Sequence, residues 1–262
     1  MNALHYGRAL NGIVTREVLR FLHQRERFLA ALVRPLVWLL VFAAGFRAAL
    51  GVSIIPPYET YIIPGLIGMI QLFNGMQSSL SMVYDREMGS MRTLLVSPLP
   101  RWFLLTSKLL AGTAVSVLQV YAFLLIALAF GIDLPPAGFV TVLPALILSG
   151  LMLGAVGMLL SSTIRQLENF AGVMNFVIFP TFFLSSALYP LWKMQESSVL
   201  LYQICSANPF THAVELVRFA LYAQVNWESL GWTALALVIF LGAAIYGYNP
   251  ARGFMPRKVQ AD

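Results

Sequence analysis

The sequence predicts an all-α integral membrane protein with six transmembrane helices, an N-terminal amphipathic interfacial helix and a re-entrant outer segment before the last span. Hydrophobic residues make up 59% of the chain, against roughly 45–50% in soluble domains. The mean hydropathy is +0.77. Only 11% of the residues are charged, and they stand between long uncharged runs. A water-soluble class is excluded, because a chain of 262 residues could not bury so much apolar surface.

Uncharged runs define the predicted spans. A helix needs roughly 20 apolar residues to cross the hydrocarbon core of a bilayer. Runs of that length lie at 60–84, 109–132, 134–164, 169–192 and 229–251. Another run, 28–50, is interrupted only by Arg34 and Arg47 near its ends, where long basic side chains can reach the membrane interface. Because the backbone in lipid must satisfy its own hydrogen bonds, each run is predicted to be helical.

The predicted organisation is a single transmembrane domain over residues 1–262, with spans at about 29–50, 60–83, 103–131, 139–163, 170–190 and 229–249. Residues 1–28 precede the spans as a cytoplasmic interfacial helix. Its apolar residues recur at spacings of three and four, and its basic residues fall on the opposite side. This helix is either a plain anchor in the headgroup layer or the border of a cytoplasmic partner or a lateral entrance.

The basic residues predict the orientation of the chain. Six spans put both termini on one side of the membrane, and that side carries fourteen of the 17 Lys and Arg residues. The positive-inside rule therefore predicts that both termini are cytoplasmic. The net charge of +6 reflects this asymmetry, so no nucleic-acid partner is expected. The first 28 residues are too charged for a cleavable signal peptide, and none is expected.

Residues 197–214 are also uncharged, but they are not predicted to be a further full span. They contain Asn208-Pro209, which is a turn sequence rather than the middle of a helix. A seventh span would also move the basic C-terminus outside. The segment is therefore predicted to be a partial, re-entrant or interfacial element on the outer side. The single cysteine, Cys205, cannot form an intramolecular disulfide and is expected to serve packing.

Polar residues form stripes on the second and third predicted spans. They either line a translocation path or make hydrogen bonds between packed helices, and the spacing alone leaves both interpretations open. The stripe consists of Gln71, Asn74, Ser78, Ser81, Thr113, Ser116 and Gln119.

Catalytic and metal-binding patterns are absent from the sequence. His5, His23 and His212 lack metal-ligand spacing, and no Gly-Lys of a phosphate-binding loop occurs. No span carries a central Asp or Glu of the kind that relays protons or sodium ions. The chain is therefore expected not to be an enzyme and to hold no cofactor or metal. A transport path without a visible energy source suggests a partner that supplies the energy.

Residues 84–110 gather charges between two predicted spans, in the order YDREMGSMRTLLVSPLPRWFLLTSKLL. Gly89 and Ser90 permit a turn, and Met91–Val96 can form a short helix that ends before Pro98. Such a helix, held between two rigid spans, could fit a cleft in a soluble subunit. The alternative is a solvated loop whose charges only fix the orientation of the chain.

The same stretch resembles a signature of type-2 ABC exporter permeases, in which a charged triplet, a glycine and L-L-x-S-P follow the second span. Two further segments are similar to that family, ANPFTHAVELVRFALY at 207–222 and FFLSSALYPL at 182–191. The resemblance covers nearly the whole chain. The relatives it points to are permeases that export nodulation factors, polysaccharides or drugs.

The resemblance implies a homodimer in the bacterial inner (cytoplasmic) membrane, in contact with membrane lipid and with two separately encoded ABC ATPase subunits that bind ATP and Mg. It implies export of an amphipathic substrate, such as a lipid-linked glycan, a lipo-oligosaccharide or a hydrophobic drug. It further implies an outer re-entrant motif of Asn208, Pro209 and Arg218. The implied coupling helix, at 85–98, consists of Asp85, Arg86, Glu87, Gly89, Met91, Leu94, Leu95, Ser97 and Pro98.

Two other function classes remain open at this point. A self-sufficient secondary transporter or channel would need no ATPase, and a non-transporting assembly factor would need no path. The chain also departs from the family pattern at Met91 and Arg92, where the family often has Glu and Leu.

Overall fold

The structure, a computed structural model, describes residues 3–23, 31–41, 58–87, 100–164 and 166–248. Within these ranges every regular element is a helix, so the predicted all-α class is confirmed. The helices are α1 (Ala3–His23), α2 (Ala31–Val41), α3 (Tyr58–Glu87), α4 (Arg101–Ala129), α5 (Gly138–Thr163), α6 (Leu167–Phe183), α7 (Leu191–Ser197), α8 (Val199–Ala207), α9 (Pro209–Leu221) and α10 (Trp227–Gly247).

In the described part of the chain, three helices, α4, α5 and α10, are long and apolar enough to cross a membrane by length and composition. The apolar helices α2 and α6 are shorter over their described residues. Helix α3 has 30 residues but is more polar, because it carries Gln71, Asn74 and Gln77. Several spans in one chain make this a multi-pass membrane protein.

Helix α5 lies at the centre of the bundle and packs against α3, α4, α9 and α10. Its approach to α3 is close because the contact is made of glycines. A Cβ atom added to Gly75 would lie 2.8 Å from the Cα of Gly154, and one added to Gly157 would lie 2.9 Å from the carbonyl oxygen of Gly75. Small residues allow such backbone contact in membrane helix pairs. The glycines of the predicted fourth span therefore serve helix packing.

The amphipathic helix α1 packs along the side of α4. Near its start, the rings of Tyr6 and Phe103 make a T-shaped contact at a centroid distance of 4.9 Å. Near its end, the buried Phe21 lines a cleft together with Val115, three turns further along α4. The two helices therefore run in the same direction. The prediction of an amphipathic N-terminal helix agrees with α1, and residues 24–30 lie outside the described part.

Helix α6 ends at Phe183, before residue 190 where the fifth span was predicted to end. The backbone N–H of Ser186, which would continue the helix by binding the carbonyl of Phe182, donates instead to Thr211 Oγ1 at 3.3 Å. The hydroxyl of Ser185 donates to that carbonyl of Phe182 at 2.5 Å. A contact with a residue far along the chain therefore ends the helix, which no local pattern could predict.

Three short helices, α7, α8 and α9, lie between α6 and α10. Helices α8 and α9 fall in the segment 197–214 that was predicted to be re-entrant or interfacial, and α9 continues beyond it to Leu221. The last of them, α9, packs against α3, α5 and α10 and buries one face. Its buried residues include Phe210, Val214 and Val217. The segment is thus helical and partly integrated into the bundle.

Large apolar side chains remain exposed on the outer faces of the bundle. Phe176 on α6 is 78% exposed, Val140 on α5 is 76% exposed and Val238 on α10 is 69% exposed. In water such surfaces would mark binding sites, whereas in a membrane they are the faces that meet lipid chains.

Candidate functional site

The structure divides the predicted polar stripe into a packed part and an open part. Gln71 on α3 is 1% exposed and bridges to α5. Its Nε2 donates to the carbonyl oxygen of Leu146 at 2.7 Å, and its Oε1 accepts from Ser149 Oγ at 2.7 Å. Because its amide donates and accepts across the same interface, Gln71 joins two helices rather than facing a path.

Two residues of the stripe on α4 belong to the same packed part. Thr113 Oγ1 donates to the carbonyl oxygen of Leu109 at 2.9 Å, and Ser116 Oγ donates to that of Thr113 at 2.9 Å. Both residues are buried and meet Gly150 of α5. Their hydroxyl groups are satisfied inside α4, so here the packing interpretation is the one that fits.

The remaining stripe residues line two open clefts. The α1 cleft, about 620 Å³ between α1, α3 and α4, is lined by Asn74, Ser78 and Ser81 among others. The α2 cleft, about 540 Å³ between α2, α3 and α4, is lined by Asn74 and Gln119 among others. Asn74 lies between the two, and its Nδ2 donates to the carbonyl oxygen of Gly112 at 3.2 Å.

The α2 cleft combines apolar walls with groups that can bind anions or hydrogen-bond acceptors. The guanidinium carbon of Arg34 lies 3.8 Å from the centroid of the Phe73 ring, which is a cation–π contact. Gln119 and Gln77 present amides, and Met69 and Ile70 form apolar wall. The cleft is therefore amphipathic and suited to a ligand that has both an apolar and a polar part.

At the other end of α3, Glu87 joins α3 to α6. Its Oε2 accepts a hydrogen bond from the backbone N–H of Leu167 at 3.2 Å. Leu167 is the first residue of α6, where unpaired N–H groups favour a carboxylate. The predicted coupling residues Asp85 and Arg86 lie in the last turn of α3. The others, Gly89, Met91, Leu94, Leu95, Ser97 and Pro98, fall outside the described residues.

The outer motif begins at Asn208, which separates α8 from α9. Its Oδ1 accepts from the backbone N–H of Phe210 at 3.0 Å, while Pro209 is the first residue of α9. Its Nδ2 donates to the carbonyl oxygens of Thr181 at 2.8 Å and Leu184 at 2.6 Å, at the end of α6. The turn predicted at Asn208-Pro209 is confirmed. The side chain also ties α9 to the end of α6.

Arg218 closes what we call the outer clamp, formed by Tyr61, Ser186, Glu215 and Arg218. The Arg218 guanidinium pairs with Glu215 and donates to the carbonyl oxygen of Ser186 at 2.9 Å. It also lies 4.2 Å from the centroid of the Tyr61 ring, and the Tyr61 hydroxyl donates to the same carbonyl at 2.8 Å. The clamp therefore holds α9, the bend after α6 and the start of α3 together.

The sequence points to Arg218 but not to its three partners in the clamp. Glu215 could have been found, because a spacing of three residues places opposite charges on one helix face. Tyr61 and Ser186 carry no comparable local pattern, since their contacts depend on how α3 and the bend after α6 come together in space.

Replacing Asn208 by aspartate is expected to destabilise the protein by about 1–3 kcal/mol, although aspartate is an equally good N-cap. The variant keeps the acceptor for Phe210 but points a carboxylate at the carbonyls of Thr181 and Leu184. Asn226 is the matched control, because its Oδ1 caps α10 by accepting from the N–H of Ser229 at 3.0 Å. Thermal unfolding in detergent compares the two. Equal midpoints for Asn208→Asp and Asn226→Asp would contradict the tie to α6.

His212 and Cys205 have surroundings that suit packing. The His212 ring stacks on Trp232 of α10 at a centroid distance of 5.6 Å, and burial lowers the pKa of His212. Cys205 is fully buried, and burial raises the pKa of its thiol. The described part of the chain contains no group of three or more His, Cys, Asp or Glu residues that could hold a metal ion.

Comparisons with known proteins place these features in a family. The profile of a family described as "ABC-2 type transporter" matches residues 8–222. A protein of Pyropia yezoensis named as a transport permease (ycf38) is 29% identical over 84% of this chain and 75% of its own length. Its namesake in Cyanophora paradoxa is 32% identical over 76% of this chain and 69% of its own length. An Escherichia coli protein named as a multidrug ABC transporter permease (YbhR) is 31% identical over 72% of this chain and 52% of its own length.

Proposed function

The chain belongs to the ABC-2 type transporter family and is a membrane permease, and we propose that it exports an amphipathic substrate with energy from a separate ATPase subunit. In this proposal the substrate leaves the cytoplasm or the inner leaflet. The permease itself hydrolyses nothing. ATP and Mg are bound by the partner, an ABC ATPase present in two copies.

The observation that carries the proposal is the position of α3. This helix has 30 residues, about 45 Å at the usual rise. It begins at the outer clamp, where Tyr61 contacts Arg218, and ends at Glu87, which is the third residue of the predicted coupling helix 85–98. Both clefts lie along its length. A displacement at the inner end therefore reaches the clefts and the clamp through one continuous element.

The coupling helix of residues 85–98 is proposed as the contact with the ATPase. Its first residues extend α3 directly, so the two would move together. Glu87 adds a second connection, because its carboxylate binds the start of α6. A movement of the ATPase cleft would then displace α3 and α6 as a pair.

We further assign six spans, with both termini in the cytoplasm of a bacterium and the bundle in its inner membrane. Helices α2, α3, α4, α5, α6 and α10 each overlap one of the six uncharged or nearly uncharged runs, which supports this assignment. The distribution of basic residues supports the orientation. A homodimer is proposed because both clefts are open in a single subunit, and closed two-fold pairing is the commonest way to enclose a shared path.

An amphipathic substrate fits the α2 cleft. The cleft sets the cation of Arg34 and the amides of Gln77 and Gln119 beside apolar wall from Met69 and Ile70. A ligand with a polar head and an apolar body could use both parts. The name of the Escherichia coli relative, a multidrug permease, agrees with this class of substrate.

The proposal predicts that Leu95→Arg weakens association with the ATPase by about tenfold or more, because it puts a charge into an apolar contact. The measurement is co-purification with the ATPase and the ATP hydrolysis rate of the complex. Leu200→Arg is the matched control, since Leu200 lies on α8 and is 66% exposed. An unchanged complex with Leu95→Arg would remove the coupling assignment. ATP-independent transport by the isolated chain in liposomes would contradict the proposed function itself.

A further inference from the structure

The α2 cleft contains a buried amide without a partner. Gln119 of α4 is 3% exposed and lines the cleft. Within the described ranges, neither its amide nitrogen nor its amide oxygen has a hydrogen-bond partner. Gln71 shows the usual arrangement, because both atoms of its amide are paired. A buried amide without a protein partner destabilises the folded state unless water or a ligand supplies the hydrogen bonds. Gln119 is therefore a group that an occupant of the cleft would satisfy.

Arg34 gives the same cleft a positive charge. Its guanidinium carbon lies 3.8 Å from the centroid of the Phe73 ring. In the part of the chain that the structure describes, it has no ion-pair or hydrogen-bond partner. An aromatic face attracts a cation but does not neutralise it. Among the described residues that line the cleft there is no Asp or Glu. An anionic group in the cleft would therefore supply the missing counter-charge.

The cation lies near the middle of α3, far from both of its ends. Phe73, which carries the guanidinium of Arg34, is about 18 Å along the helix axis from Tyr61 and about 21 Å from Glu87. A phospholipid of the surrounding bilayer keeps its head at the membrane surface. Cations at mid-depth in a membrane protein mark the path of a substrate or an ion. The position of Arg34 therefore suits the head of a molecule in passage.

Gln119 lies further along the bundle axis than the cation. Asn74, the neighbour of Phe73, donates to the carbonyl oxygen of Gly112 at 3.2 Å, so these residues are level with each other. Gln119 is two turns beyond Gly112 on α4, about 10 Å along the axis, and its side chain and that of Arg34 span part of this distance. The two groups therefore suit two different polar groups of one ligand head.

We propose that the α2 cleft receives the head of the exported molecule and that this molecule is an anionic amphiphile, with a phosphate, sulfonate or carboxylate group. Arg34 pairs with the anionic group, and Gln119 forms a hydrogen bond with a second polar group of the same head. The apolar part of the molecule lies against Met69 and Ile70. A cationic amphiphile of the same size is disfavoured, because its charge would meet that of Arg34. The identification of the ligand as cargo rests on the proposed function, whereas binding to the cleft does not.

The binding test uses the full chain in phosphatidylcholine nanodiscs and a photoactivatable 1-acylglycerol 3-phosphate, which carries a phosphate, a hydroxyl and an ester carbonyl. The matched probe has trimethylammonium in place of the phosphate. Mass spectrometry of the digested protein measures labelling of the cleft against probe concentration. The phosphate probe is expected to reach half-labelling at an about tenfold lower concentration than the ammonium probe.

Variants assign this preference to the two side chains. Arg34→Gln is expected to raise the half-labelling concentration of the phosphate probe about tenfold, and Arg34→Lys to restore most of the affinity. Gln119→Leu is expected to raise it about three- to fivefold. Arg8→Gln, which removes an exposed charge of α1 outside the cleft, is expected to leave it unchanged. Thermal unfolding of each variant checks that it is folded.

Three results of the binding test would overturn the site. Equal labelling of the wild type by the two probes would show that the cleft does not select an anionic head. Unchanged labelling in both Arg34→Gln and Gln119→Leu would show that these side chains do not bind the head. An equal loss in Arg8→Gln would show attraction to a diffuse basic surface. Should Arg34→Gln fail to fold, the comparison of probes and Gln119→Leu still decide.

An export assay separates cargo from a membrane lipid. In vesicles that contain the complex with its ATPase, ATP-dependent export of the phosphate probe is expected, and Arg34→Gln is expected to slow it about tenfold. Equal export of both probes, unaffected by Arg34→Gln, would overturn this inference and leave the proposed function standing. Labelling of the cleft without ATP-dependent export of either probe would overturn the cargo assignment together with the proposed function, and the cleft would then be a lipid-binding site.

Discussion

Replacing Gly75 by leucine is expected to prevent α3 from packing against α5 and to remove most of the stability of the bundle. Even alanine is too large, because its Cβ would lie 2.8 Å from the Cα and 3.0 Å from the backbone nitrogen of Gly154. Backbone atoms cannot move aside as a flexible side chain can. Overpacking of this kind costs about 1–3 kcal/mol for small insertions. The expected loss for Gly75→Ala is in that range, and Gly75→Leu should exceed it.

The single cysteine provides the measurement. Cys205 is fully buried, so a thiol-reactive fluorophore added during heating reports the loss of the folded state. Both Gly75 variants are expected to lower the midpoint temperature of that reaction, and Gly75→Leu is expected to lower it more than Gly75→Ala. The matched controls are Gly172→Ala and Gly172→Leu on α6, because a Cβ at Gly172 meets no atom within 4 Å. Equal midpoints for the two leucine variants would contradict the assignment of Gly75 to a close helix contact.

The same contact links stability to the candidate site. Gly75 is the neighbour of Asn74, which lies between the two clefts. A shift of α3 away from α5 would also break the hydrogen bonds from Gln71 to Leu146 and from Ser149 to Gln71. We therefore expect Gly75→Ala to lose transport at temperatures where its helices are still formed.

The positions of the long helices could be predicted from the sequence because lipid imposes a simple rule on the chain. Predicted spans at 103–131, 139–163 and 229–249 lie within two residues of α4, α5 and α10 at both ends. In each case charged or turn-forming residues next to the apolar run mark the boundary. Where a tertiary contact ends a helix, the rule fails. Helix α6 stops at Phe183 because the N–H of Ser186 binds Thr211.

The residue types of the candidate site could be predicted from the sequence. Which of these residues pack between helices and which line a cleft could not. Gln71 and Asn74 lie on the same face of one helix, yet Gln71 is engaged with α5 and Asn74 borders two clefts. Only the packing of the neighbouring helices separates these roles. The outer motif shows the same limit. Asn208-Pro209 indicated a helix boundary, whereas its second contact, with the end of α6, depends on the bend after Phe183.

Removing the charge of Arg218 is expected to cause a large loss of stability at the end of the bundle where the clamp lies. Arg218→Gln leaves Glu215 without its partner. Because the Glu215 side chain is only 17% exposed, water cannot fully replace that partner. Breaking a fully buried pair costs about 3–5 kcal/mol. Because this pair is partly hydrated, about 2–3 kcal/mol is expected here. The variant also loses the donor to Ser186 and the cation over the Tyr61 ring.

A double-mutant cycle separates the pair from the rest of the clamp. Glu215→Gln combined with Arg218→Gln is expected to be less destabilised than Arg218→Gln alone, because no charge is then left unpaired. Arg16→Gln is the matched control, since the Arg16 side chain is 68% exposed in its pair with Glu17. Its effect is expected to stay below about 0.5 kcal/mol. Thermal unfolding followed through Cys205 compares the wild type, Glu215→Gln, Arg218→Gln, the double variant and the Arg16→Gln control. Equal effects of Arg16→Gln and Arg218→Gln would show that the clamp adds no stability.

The clamp is also expected to matter for transport beyond its effect on stability. Within the described residues, the Nε of Arg218 and the hydroxyl of Ser186 are buried without a hydrogen-bond partner. A buried polar group without a hydrogen-bond partner destabilises the folded protein, because it has lost its hydrogen bonds to water. Exposing the group to water restores those hydrogen bonds. Opening the clamp would hydrate both groups, and the free energy gained would offset part of the cost of breaking the ion pair. Tyr61→Phe, which keeps the cation–π contact but removes the hydroxyl bond to Ser186, is therefore expected to change the transport rate at nearly unchanged thermal stability. An unchanged rate in vesicles containing the ATPase complex would make the clamp purely structural.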